Sequence, residues 1–175
     1  MSADDNKPST NASRLSRREF VKFGGATVTG SLAAGIVPAF AAQGNDPRAY
    51  PVANVARLDA LKVDSPIAFN YPDENSPAVL VRLRDAAIGG IGPGNTIVAY
   101  SILCTHKGCP VAYRPERKML ICPCHWSCFD PAKAGQMVIG QGSQALPQIA
   151  LRLQADTIQA TGIEGLIYGR HTNIL

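Results

Sequence analysis

Two short segments decide how this chain is read: Cys104-Thr105-His106-Lys107-Gly108-Cys109-Pro110 and Cys122-Pro123-Cys124-His125-Trp126-Ser127. Each sets one thiol and one imidazole close together, and each follows an apolar run of strand length. Fifteen residues separate His106 from Cys122, enough for an excursion through 114–118 and a return strand. The pairs Cys104 with His106 and Cys122 with His125 therefore sit on two loop tips, each with a sulfur and a nitrogen donor. All five cysteines fall between positions 104 and 128, whereas the disulfide framework of a small secreted fold spreads them along the chain. A metal site accounts for such clustering, with room for one local disulfide. Zinc also takes two cysteines and two histidines, but zinc fingers pair two close cysteines with two close histidines. Here each segment mixes the types.

Working outward, the flanking sequence has strand lengths and strand composition. Candidate strands are 67–71, 78–83, 96–103, 118–122, 149–154, 157–161 and 166–168, and alternation is plain in Ala150-Leu151-Arg152-Leu153-Gln154. Pro72-Asp73-Glu74-Asn75, the glycine-rich stretch 89–95 and Ala155-Asp156 supply the turns. Only 55–61 offers a short helix. Gly and Pro total 29 while charged residues make up 17%, a balance that favours short strands and turns over long charged helices. The expected class is all-β, an antiparallel sandwich or partial barrel.

Residues 1–42 read as an address, leaving 43–175 as the folded domain. Polar residues 1–13 have little to bury. Ser16-Arg17-Arg18-Glu19-Phe20-Val21-Lys22 follows shortly after, then an uncharged Gly- and Ala-rich run over 23–40, and Ala39-Phe40-Ala41 has the small residues a signal peptidase reads. The heptapeptide resembles the twin-arginine export signal, with Arg17 and Arg18 as the pair, and implies a periplasmic protein exported already folded. The apolar run is at the lower limit for a membrane span and is diluted by four glycines. Cleavage near Ala41 or Ala42 is favoured over an uncleaved anchor, which would be the chain's one membrane contact. Five of the 17 basic residues precede residue 23, and the remainder carries twelve basic against ten acidic residues. So near-neutral a body gives no reason to expect nucleic acid as a partner.

The pattern C-T-H-K-G-C … C-P-C-H-W-S resembles the motif of the Rieske family, closely over about 95–155 and loosely over the other strands. The resemblance implies a Rieske-type sandwich with a small cluster-binding subdomain and a 2Fe–2S cluster. Cys104 and Cys122 would bind the buried iron, and His106 and His125 the outer one. Replacing two thiolates with neutral imidazoles makes the oxidised cluster formally neutral. That raises the potential to about −150 to +300 mV, from about −400 mV for all-cysteine ferredoxins. Cys109 and Cys124 correspond to the family disulfide, and Ser127 to a serine that hydrogen-bonds a bridging sulfide. Three positions depart from the commonest pattern. Trp126 replaces a usual glycine, so its loop is expected to pack differently. Phe129 replaces the tyrosine of high-potential members, and Cys128 has no role in the motif.

Within the family the chain looks like the small subunit of arsenite oxidase, on the strength of the export signal, Phe129, the compact insert 113–119 and the segment 140–147. That segment would form a third loop over the cluster, stiffened by Pro147. The resemblance implies a large molybdopterin partner subunit with a 3Fe–4S cluster, and a cytochrome c or azurin-type acceptor. The alternative is the Rieske subunit of a quinol–cytochrome c oxidoreductase. It would need an uncleaved anchor and usually carries the tyrosine that Phe129 replaces.

Overall fold

The computed structural model describes residues 49–174. Arg17, Arg18 and the boundary expected at 42–43 lie outside the described residues. Ten strands follow in order: β1 (Ala53–Arg57), β2 (Ile67–Asn70), β3 (Pro77–Arg82), β4 (Ile97–Ser101), β5 (Ala112–Arg114), β6 (Met119–Ile121), β7 (Cys128–Asp130), β8 (Gln136–Ile139), β9 (Gln148–Gln154) and β10 (Thr157–Glu164). Six form an antiparallel sheet in the order β1-β10-β9-β4-β3-β2, and the other four form a meander, β5-β6-β7-β8. The fold is all-β, as the patterning predicts.

β3 and β4 explain why two apolar runs replace simple alternation. Val79, Val81, Val98 and Tyr100 pack with Leu120, Phe129, Cys104 and Cys122 in one core between the sheets. Ala78, Leu80, Ile97 and Ala99 pack with Ile149, Ile158 and Ala160 in a second core. Strands buried on both faces have no solvent side to mark with polar residues. β9 and β10 keep the alternation, with Leu153 opposite Ile158 and Arg152 opposite Gln159 across a hairpin turned at Ala155-Asp156.

Three expectations differ from the structure. Residues 55–61 are no helix: β1 runs to Arg57 and a single 3-10 turn follows at Leu58–Ala60. The strand expected at 166–168 is irregular chain, where the Ile167 N–H donates to Asn173 Oδ1 at 2.9 Å. β5, β7 and β8 were not expected; each is three or four residues long, too short to show a period.

Candidate metal centre

The small sheet carries the site at one end. Loop 1 (104–109) precedes β5, and loop 2 (122–127) joins β6 to β7. Their backbones are built alike. The Cys104 carbonyl accepts from Gly108 N–H at 2.8 Å, and the Cys122 carbonyl from Trp126 N–H at 3.1 Å. The Cys104 N–H donates to the Cys109 carbonyl at 3.0 Å, and the Cys122 N–H to the Ser127 carbonyl at 2.9 Å. Gly108 and Trp126, at matching positions, both take left-handed φ, 72° and 59°. Trp126 therefore keeps the same turn as loop 1, and the residue stands in solvent, 71% exposed.

This frame brings the donors together. Cys104 and Cys122 are both buried, and the His106 and His125 rings meet edge to face with centroids 4.7 Å apart. Burial pushes the Cys104 thiol up; the His106 backbone N–H pulls against that rise, and the neighbouring Cys122 side chain adds to it. Such a thiol is a poor nucleophile alone, and a bound cation removes its proton outright. His106 Nδ1 is buried with no hydrogen-bond partner, a state that costs about 1–3 kcal/mol if nothing takes its lone pair. An iron ion would. Two thiols, two imidazoles and one orphaned ring nitrogen fit a mixed-ligand iron–sulfur cluster.

Cys109 and Cys124 form a disulfide that joins the two loops. Their sulfurs lie within 4.8 Å of the Cys122 sulfur, but a disulfide has no thiolate to offer, so these three are not a ligand set. Cys128 remains a free thiol, with Sγ donating to the Trp126 carbonyl at 3.4 Å.

A third loop closes over both, and most of its contacts escape sequence reading. Thr105 Oγ1 donates to the Gln144 carbonyl at 2.8 Å, and Ser143 Oγ returns a bond to the Thr105 carbonyl at 3.0 Å. The Gln141 N–H donates to Ser127 Oγ at 3.1 Å, which leaves the proton of that fully buried hydroxyl to be donated. A side chain at Gly140 would put a carbon 2.3 Å from Ser127 Cα, so only glycine lets the loop come this close. Pro147 sits at the loop's root, its carbonyl accepting from Ser101 N–H at 3.0 Å. Phe129 is fully buried on β7, and its Cζ faces Gly142. The run Gly140-Gln141-Gly142 was the sequence signal for this approach, but which groups it touches depends on the fold.

A pair of Cys/His loops clamped at the end of a small antiparallel sheet defines an iron–sulfur protein. The chain belongs to the Rieske [2Fe-2S] domain family, whose profile matches residues 49–150, and its cofactor is a Rieske-type 2Fe–2S cluster. It is 39% identical to the iodate reductase subunit IdrB of Denitromonas iodatirespirans, over 91% of this chain and 86% of that one. It is 40% identical to the IdrB of Pseudomonas sp. (strain SCT), over 89% and 82%. Among solved structures, the soluble domain of Rieske protein II (soxF) from Sulfolobus acidocaldarius matches with a TM-score of 0.62 at 22% identity, covering 70% of this chain and 82% of that one. That likeness supports the fold.

Proposed function

We propose that Cys104, His106, Cys122 and His125 hold the cluster, and that the chain is the electron-transfer subunit of an exported oxidoreductase. The observation that carries the ligand set is the buried, unpartnered His106 Nδ1 in a site that also buries two free thiols. When bound, the cluster supplies a one-electron couple in the Rieske range. The protein's own groups do the rest. Leu120 and Phe129, both fully buried, keep water from the thiolate side. Ser127, held by Gln141 N–H, has a hydrogen bond to give. The exposed His125 is the edge through which an electron leaves.

Substrate chemistry belongs to a partner: a large molybdopterin subunit with a 3Fe–4S cluster. That subunit would take two electrons from arsenite, and this chain would relay them singly to a cytochrome c or azurin-type acceptor. A second reading is favoured by the similarity to iodate reductase subunits over nine-tenths of the chain: the same relay run inward, towards a large subunit that reduces iodate. Arg17 and Arg18 would export the folded assembly to the periplasm. The native complex decides these points. Molybdenum co-purifying with iron supports the partner, and its absence removes it. Arsenite that reduces the cluster supports the first direction, and iodate that oxidises a pre-reduced cluster supports the second. Replacing Arg17 and Arg18 with Lys should strand the complex in the cytoplasm, and normal periplasmic activity would overturn the export reading.

A further inference from the structure

Trp126 carries a burden that the isolated chain does not recover. It holds a bulky side chain at φ 59°, where the matching position of loop 1 has glycine, and an L-residue in this region is strained. Little packing offsets the strain, because the residue is 71% exposed. A strained residue that presents an indole to water points to a contact outside the chain.

The surroundings say what kind of contact. Trp126, Pro123 and Ile121 line a groove together with Arg114, Glu116 and Arg117. The outer face of the small sheet continues from Ile121 through Cys128 to Ile139. There Val138 and Ile139 are 57% and 66% exposed. Among the described residues neither Arg114 nor Arg117 has a carboxylate within 4.0 Å.

We infer that this face is the docking site of a soluble protein electron carrier with an acidic rim around an apolar centre, and that Trp126 is its anchor. The inference rests on the proposed electron-transfer role. Two unpaired guanidinium groups complement acid and speed the encounter with it. The central indole is the residue type that dominates binding energy at interfaces. Trp126 directly follows His125, so a carrier seated on it lies beside an exposed imidazole edge. A small apolar centre with a charged rim suits a transient redox encounter better than a permanent subunit contact.

The test uses the assembled, cluster-loaded complex and times re-oxidation of the reduced cluster by an acidic c-type cytochrome and, separately, by hexacyanoferrate(III). In Trp126→Gly the cytochrome rate should fall at least tenfold, while the hexacyanoferrate rate, midpoint potential and EPR spectrum stay unchanged. The melting temperature should hold or rise, because glycine relieves the left-handed strain. Arg114→Glu with Arg117→Glu should slow the cytochrome at low ionic strength and flatten its salt dependence. A lowered melting temperature or a shifted potential with an unchanged cytochrome rate would make Trp126 a loop element only. Release of the large subunit from either variant, with carrier kinetics intact, would overturn the proposal by making this a permanent interface. A wild-type cluster that exchanges electrons with no protein carrier would instead sink the electron-transfer reading, and the docking face with it.

Discussion

Loops 1 and 2 fold the same six-residue turn and present opposite faces of it. In loop 1 the outward space at Gly108 is taken: a Cβ there would sit 2.7 Å from the Tyr168 ring. Thr105 is buried and tied crosswise to the third loop by two hydrogen bonds. In loop 2 the matching outward direction opens to solvent, and an indole stands in it. Its anchor points inward instead, through the fully buried Ser127. The turn itself therefore demands only a left-handed residue. What lies beyond that position decides whether a side chain is excluded or displayed. One loop is sheltered and the other presented, although each supplies one thiol and one imidazole.

The largest expected effect tests whether the loops are equal as donors. Serine at Cys104 or Cys122, or alanine at His106 or His125, should abolish the EPR signal of the reduced cluster and the bound iron together. A full iron complement in any one of the four would break the equivalence. Next comes the link between them. Serine at both Cys109 and Cys124 opens a link of sequence separation 15, worth about 3 kcal/mol by chain entropy. Urea unfolding of the wild type and the double variant measures it, and equal midpoints would show the loops are held by the third loop alone.

Gly108→Ala sharpens the comparison further. It adds left-handed strain of about 1–2 kcal/mol and a clash with Tyr168, so the melting temperature should drop by several degrees. An unchanged melting temperature would mean Tyr168 moves aside freely and does not shelter loop 1.

How much of this the sequence displays follows from what each element is asked to bury. β3 and β4, packed on both faces, read as continuous apolar runs, and β9 and β10 read as an alternating pair, because each has enough residues to register a pattern. β7 is Cys128-Phe129-Asp130, and only Phe129 is buried among them. β8 buries no residue fully and contains a bulge opposite β7. Neither had a period to offer. Residues 55–61 misled because Val55, Leu58 and Leu61 are spaced like a helix face, while pairing with β10 holds Ala53–Arg57 extended. In the site, residue types and spacing single out the two Cys/His pairs, and the resemblance to the Rieske motif implies the Cys109–Cys124 disulfide that the structure contains. The tie from Gln141 to Ser127, and the one from Thr105 to Gln144, use backbone groups, which no residue type announces.

Phe129 offers the finest division between the loops and the third loop that covers them. Its Cζ lies 3.1 Å from the point where a Gly142 Cβ would stand, and Thr105 Oγ1 lies 2.8 Å from that same point. A hydroxyl placed on Cζ by Phe129→Tyr would enter the seam where loop 1, the third loop and β7 meet. Phe129 and Cys104 belong to the same core, and the proposed ligand sulfur of Cys104 is the acceptor that the new hydroxyl is expected to compete for. Donation to sulfur favours the reduced, more negative cluster and raises the potential. A net hydrogen bond of about 1 kcal/mol that acts in one redox state corresponds to roughly 40 mV for a one-electron couple. Protein-film voltammetry of both proteins in one buffer should therefore show a rise of tens of millivolts with iron content intact. Thr105 Oγ1 competes for the same proton, and it already donates its own to the Gln144 carbonyl. An unchanged or lowered potential would assign the hydroxyl to Thr105, and the Phe129 ring to packing beneath the third loop.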